Sequence, residues 1–243
     1  MNLIRVEHFA KRFGEKVVHS DVNLVLQKGE CLGLIGGSGT GKSVLLRSLI
    51  GLEKPDSGEI YFKDQEITEM AESDLIEIRK QIAYVFQGGA LFDSMTVFEN
   101  LAYPLRAHTQ LNEDEIDTRI QALLKEFGLQ GNDALFPGAL SGGMQKRVGL
   151  ARAIIMEPDV ILYDEPTAGL DPFNTRRIQD MILRMKAKGK SSVLVTHDMP
   201  VAMAVCDRIA ILGKGQISSI ETVPQIHEDS EGLIAKFIQG EVS

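Results

Sequence analysis

The sequence predicts an α/β protein, a parallel sheet with helices between its strands, interrupted by a helical insert. Three observations carry that expectation. Short apolar runs at 30–35, 160–163 and 192–195 have the look of strands buried in a sheet. The first of them runs into a glycine-rich loop and then into helix-spaced apolar positions at 42–49. From about residue 88 to 158 the pattern turns helical before the strands resume.

The remaining elements follow in order. Residues 3–8 and 22–27 read as short strands, with Lys28-Gly29 as the turn before 30–35, and 58–62 and 82–86 as further strands. In the helical stretch, Thr96-Val97-Phe98-Glu99 and Asn112-Glu113-Asp114-Glu115 fit capping boxes, a side-chain cap with a carboxylate three positions on. Ile116, Ile120, Leu123, Leu124 and Phe127 share one helical face. Helices are expected at about 143–156 and 173–189, and a short amphipathic one at 231–239. The expected organisation is a single domain over 1–243, with its core at 1–87 and 159–220, a helical subdomain at 88–158 and a helical tail at 221–243.

Composition narrows the function classes. Of the 243 residues, 44% are hydrophobic and 25% charged, as in an ordinary globular protein. A net charge of −8 argues against general nucleic-acid binding, which favours a basic face. No apolar run approaches the ~18 residues that suggest a membrane span, and Met1-Asn2-Leu3-Ile4-Arg5 lacks the apolar core of a secretory signal. Cys31 and Cys206 show no metal-ligand spacing, and Cys31 reads as a reduced core residue. The expected location is the cytoplasm.

Gly36-Gly37-Ser38-Gly39-Thr40-Gly41-Lys42-Ser43 is a phosphate-binding loop in its expected context, between a strand and a helix. Glycines let several backbone N–H groups turn toward one anion, and the helix that follows, through Val44, adds its positive end. Lys42 is placed to reach the β- and γ-phosphates of a nucleotide, and the Ser43 hydroxyl to hold Mg²⁺. The apolar run 160–163 leads into Asp164-Glu165-Pro166. Beside such a loop, Asp164 can position the metal's water shell while Glu165 orients and polarises an attacking water. Gln87 and His197 each follow a strand, at the end where ligands collect in such sheets. Gln87 is assigned to the metal or water, and His197 to the γ-phosphate. With no internal repeat, the chain has one such unit.

Leu140-Ser141-Gly142-Gly143-Met144-Gln145-Lys146-Arg147 places a hydroxyl and two glycines at the start of a helix, a second anion site. With that segment the sequence resembles the ATPase domain of ABC transporters, whose signature is Leu-Ser-Gly-Gly-Gln or a close variant. The match runs through nearly the whole chain. It implies a P-loop NTPase fold, a RecA-like parallel core with an N-terminal antiparallel β subdomain and an inserted helical subdomain. It also implies a head-to-tail homodimer in which Ser141, Gly142, Gly143, Met144 and Gln145 serve the partner's ATP. By the same resemblance Phe13 stacks on adenine, and Asp171 lies in the loop that communicates between the two sites. Met144 stands where Gln is commoner, and Ser43 where Thr is.

Gly88 to Arg106 carries more large apolar side chains than a solvated loop needs. In this family the region after Gln87 receives a permease's cytoplasmic helix. The wording Gly-Ala-Leu-Phe-Asp-Ser-Met-Thr-Val-Phe-Glu-Asn, followed by Tyr103-Pro104-Leu105-Arg106, is similar to the ATPases of MCE-associated, Mla-type phospholipid transporters. That resemblance implies phospholipid transport between bacterial inner and outer membranes, an MCE-domain partner, and peripheral attachment to the cytoplasmic side of the inner membrane. The alternative is the ATPase of an amino-acid or methionine importer, which shares parts of this segment. DNA-repair ATPases insert long coiled coils that are missing between Gly41 and Asp164. Translation-factor ATPases pair two domains in one chain, and the intact Lys42, Asp164, Glu165 and His197 argue against an inactive regulatory domain.

Overall fold

A computed structural model describes residues 1–229 and 231–241. Part of the expected tail, at 230, 242 and 243, therefore lies outside the described residues. The chain opens with a long hairpin, β1 (Asn2–Phe13) and β2 (Lys16–Gln27), in place of the short strands expected at 3–8 and 22–27. The extra length comes from polar residues around Gly14, whose alternation is broken by register shifts along the pair. β4 (Ser57–Phe62) and the two-residue β5 (Gln65–Glu66) extend this antiparallel part.

The parallel part consists of β3 (Cys31–Ile35), β6 (Ile82–Val85), β7 (Val160–Asp164), β8 (Ser191–Val195) and β9 (Arg208–Gly213). β10 (Gln216–Thr222) pairs antiparallel to β9 and bridges to β2, so the sheet runs β5-β4-β1-β2-β10-β9-β3-β8-β7-β6. This is the P-loop NTPase arrangement of a parallel core with an N-terminal antiparallel flank. The central strands are apolar almost throughout because both faces are covered: β3 and β8 have no exposed residue. One core lies under α1 (Lys42–Ser48) and α2 (Glu72–Arg79), the other under the remaining helices.

Between β6 and β7 come α3 (Val97–His108), α4 (Glu113–Glu126) and α5 (Gly142–Ile154). Both expected capping boxes form, at Thr96/Glu99 and Asn112/Glu115. Leu101, Ile120 and Leu124 are fully buried where these helices meet. α6 (Pro172–Ala187) crosses from β7 to β8, and α7 (Met199–Val205) from β8 to β9. The short helix expected at 231–239 is α9 (Leu233–Gln239), and a further one, α8 (Val223–Glu228), precedes it.

Candidate functional site

The sheet order assembles the site. β3, β8, β7 and β6 are consecutive parallel neighbours, and their ends are level: Leu34 pairs with Val195, Val195 with Asp164, and Tyr163 with Val85. The segments that follow them are the glycine loop, His197, Asp164-Glu165 and Gln87. Four stretches far apart in sequence thus leave one edge of the sheet together, the position where open α/β sheets bind ligands.

The loop 36–41 is shaped by its glycines. Gly36, Gly39 and Gly41 have positive φ, and a Cβ at Gly36 would stand 2.3 Å from the Leu212 carbonyl oxygen. Lys42 Nζ folds back over the loop and donates to the carbonyls of Gly36 (2.8 Å) and Gly37 (2.9 Å). Burial lowers the pKa of its amine, opposed by the charges of Glu165 and Asp164. Thr40 Oγ1 donates to Gly37 O at 3.0 Å, closing the turn around Ser38.

Asp164 sits at the end of β7 with both oxygens engaged. Ser43 Oγ donates to Oδ1 at 2.9 Å and Tyr84 OH to Oδ2 at 2.7 Å. Burial first, then the bond to Asp164, pushes the Tyr84 phenol far above its ordinary pKa, so it stays a donor. Glu165 takes the left-handed backbone conformation (φ 50) that side-chain-bearing residues rarely adopt, anchored by its N–H on Val195 O at 2.9 Å. His197 Nδ1 lies 2.8 Å from Glu165 Oε2, and the His197 backbone N–H donates to the same oxygen at 3.3 Å. Gln87 is exposed, and its side chain makes no hydrogen bond with this cluster among the described residues. The strand before it ends at Val85 rather than at 86, leaving Phe86 and Gln87 outside the sheet.

An oxygen donor set of this kind suits a hard cation. Ser43 Oγ and Asp164 offer one hydroxyl and one carboxylate, and no cluster of three or more His, Cys, Asp or Glu forms a protein cage among the described residues. Mg²⁺ is held this way when substrate phosphates and water complete its octahedron.

The second glycine segment lies at the start of α5. Ser141 caps the helix by accepting from Met144 N at 3.3 Å, and Ser141 and Gly142 are exposed. Gly143 is buried against Asn174, where a Cβ would come within 2.6 Å. Asn174 in turn donates through its backbone N–H to Asp171 Oδ1 (2.9 Å) and through Nδ2 to Oδ2 (2.5 Å), which lowers the pKa of that carboxyl. Lys146 Nζ donates to Ala168 O, tying α5 to the loop after Glu165. Gln145 turns away, donating to Pro137 O at 2.9 Å. Phe13 is exposed at the hairpin tip with Lys11 Nζ 5.2 Å above its ring, while neighbouring residues of that hairpin, Val18 and His19, touch Gly41.

Several contacts around the site escaped the sequence reading. Tyr84 is one, because its partner is eighty residues away. Gly149 is another: a Cβ there would lie 2.7 Å from Gly89 Cα, so α5 packs directly on the segment after Gln87. Buried Asn100 binds Phe92, Met95 and Thr96 backbone groups, and Arg152 donates to Ala90 O at 2.6 Å, together fixing the loop 88–96.

Comparison with known proteins agrees with this geometry. A family model described as "ABC transporter" matches residues 19–168. The chain is 40% identical over 238 residues to the probable ribonucleotide transport ATP-binding protein mkl of Mycobacterium leprae, covering 98% of this chain and 69% of that one. The corresponding Mycobacterium tuberculosis protein is covered over 66% of its length. Identity is 36% over 241 residues to the intermembrane phospholipid transport system ATP-binding protein MlaF of Haemophilus influenzae, covering 99% of this chain and 91% of that one. Among solved structures, the ATP-binding cassette MJ0796 in a dimeric post-hydrolysis state with ADP and Pi superposes with a TM-score of 0.84 at 32% identity, over 91% of this chain and 99% of that one.

Tyr84→Phe removes one of the two donors to Asp164. Urea unfolding is expected to show a stability loss of about 1.5–3 kcal/mol, as for other hydrogen bonds to charged groups; an unchanged midpoint would mean the contact contributes nothing.

Proposed function

The chain belongs to the ABC transporter ATPases, and from that premise we propose that it is the motor of a phospholipid transporter, working as a nucleotide-sandwich dimer under a membrane permease. The observation that carries the reading is the shared edge at which Lys42, Ser43, Asp164, Glu165 and His197 meet. ATP is the substrate of that site. Its β- and γ-phosphates are assigned to the loop 36–44 and Lys42, and its adenine to Phe13. Magnesium would supply charge neutralisation on the phosphates, with Ser43 and Asp164 to hold it and Gln87 to join them.

Glu165 takes a proton from the attacking water and aims it in line with the γ-phosphate. His197 holds that carboxylate through Nδ1 and its backbone N–H, leaving its ring edge for the γ-phosphate. Gln87 is exposed and makes no hydrogen bond with that cluster among the described residues, which makes the segment after it a candidate for coupling hydrolysis to the permease. Ser141 and Gly142 are exposed at the start of α5, which supports their assignment to the partner's ATP, and Gly143, Met144 and Gln145 are assigned with them. The contact of Gly143 with Asn174, and of Asn174 with Asp171, offers a route by which one site senses the other.

The permease surface is assigned to residues 88–106. Phe92 and Tyr103 stand exposed with ring centroids 5.3 Å apart, and Tyr103 lines a cleft of about 330 Å³ with Met95, Glu99, Arg106 and Ala107. A cytoplasmic helix with an apolar face suits it. No helix among the described residues is long and apolar enough to cross a membrane, which fits a peripheral subunit on the cytoplasmic side of the bacterial inner membrane. The division into a core (1–87, 159–220), a helical subdomain (88–158) and a tail (221–243) belongs to the same proposal.

The names of the relatives diverge between ribonucleotide and phospholipid transport. Near-complete coverage of MlaF in both directions, and the wording of 88–106, favour phospholipid and an MCE-domain partner. Purification of the membrane complex followed by lipid analysis decides: enriched phospholipid is expected, and a bound nucleoside or amino acid would overturn the choice.

Glu165→Gln is expected to retain ATP binding by calorimetry while slowing phosphate release about 10²- to 10⁴-fold, the usual cost of a lost general base; turnover at the normal rate would remove Glu165 from its role. Ser141→Arg and Lys42→Ala should each be inactive alone. Mixed, they form dimers with one intact composite site, so partial recovery of ATPase activity is the expected result, and a mixture as inert as its components argues against shared sites.

A further inference from the structure

The hairpin strand β2 passes beneath the phosphate loop, and the side chain it places there is a histidine. His19 is fully buried, its ring tilted against Phe9 with centroids 5.3 Å apart. Its Nε2 lies 3.1 Å from the carbonyl oxygen of Gly41. A carbonyl only accepts, so Nε2 carries the hydrogen and donates it. Nδ1 is buried and has no hydrogen-bond partner among the described residues. Burial also lowers the pKa of this imidazole, in keeping with a neutral ring.

An apolar side chain would fill the space beside Phe9 without stranding a buried nitrogen. What histidine adds is one directed donor, and it is spent on Gly41. The fit is close: a Cβ at Gly41 would stand 2.6 Å from His19 Nε2 and 2.4 Å from Val18 Cγ1, and Gly41 has φ 95. The loop therefore rests directly on β2 at the residue before Lys42 and Ser43. The Gly41 carbonyl also accepts from Leu45 N–H at 2.9 Å, so His19 supplies the second of its two bonds and is the one from outside the loop and its helix.

We propose that His19 is a positioning residue for nucleotide binding, clamping the Gly41 end of the phosphate loop to the N-terminal hairpin through Nε2–H. The inference rests on the reading of residues 36–44 as the ATP site. It links that site to the strand pair that also carries Phe13, so one hairpin sets both the adenine-facing tip and the end of the loop that leads into Lys42.

The test uses the full chain in the slow Glu165→Gln background, with ATP affinity measured by calorimetry and melting followed in parallel. The Nε2 of glutamine stands as many bonds from Cα as the histidine Nε2, whereas asparagine matches Nδ1. His19→Gln should bind ATP within about twofold of its parent. His19→Leu and His19→Asn should bind about three- to tenfold more weakly, the range for one lost hydrogen bond. His19→Leu should melt at or above the parent temperature, since it removes the stranded nitrogen, which separates positioning from packing. A folded His19→Leu that binds ATP as tightly as its parent overturns the proposal. So does a glutamine variant as weak as the asparagine variant, a comparison that stands even if the leucine variant fails to fold. Failure of the underlying reading shows differently: Lys42→Ala would then bind ATP as tightly as its parent, whatever occupies position 19.

Discussion

The hydrogen bond from Ser43 to Asp164 spans 121 residues of sequence and 2.9 Å of space, and the site depends on it. It joins the first turn of α1 to the end of β7. Both groups belong to the rigid part of the molecule, because β3 and β7 are held in register on either side of β8. Tyr84, from β6, satisfies the other carboxylate oxygen. A carboxylate held from two sides keeps a fixed direction, which a metal-phosphate centre needs in order to lower a barrier by positioning.

From that centre, the structure divides fixed from adjustable parts. Glu165 is turned by an uncommon backbone conformation and held by His197, so its direction is set by the sheet edge. Gln87 lies outside the strand that leads to it, exposed, on a segment that packs on α5 through Gly89 and Gly149. The helical insert therefore touches the segment that carries Gln87. The same α5 begins with Ser141 and is tied by Lys146 to the loop after Glu165. One helix thus connects the exposed glycine segment, the candidate permease surface and the loop after Glu165.

Local motifs were legible in the sequence because the chemistry demands neighbours in the chain. The loop 36–43, the Asp164-Glu165 pair and the segment 140–147 each place their functional groups within a few residues. His197 was found from its place after an apolar strand, and Gln87 from the same rule, although the structure leaves Gln87 unengaged. Long-range partners were not legible: nothing near Tyr84 signals Asp164, and nothing near His19 signals Gly41. The hairpin was underestimated because its tip, from Lys11 to Ser20, is polar and irregular in register. β9 is different: Ile209-Ala210-Ile211-Leu212 is the same kind of buried run as the strands that were identified, and the signal was available.

The central claim is that ATP, held by one chain at the edge of its sheet and by the exposed serine-glycine segment of a second, draws two copies together. Sedimentation of the Glu165→Gln chain with ATP and magnesium measures this directly. A dimer with ATP that returns to monomer with ADP is the expected result. A monomer under both conditions, with ATP demonstrably bound, would contradict the account.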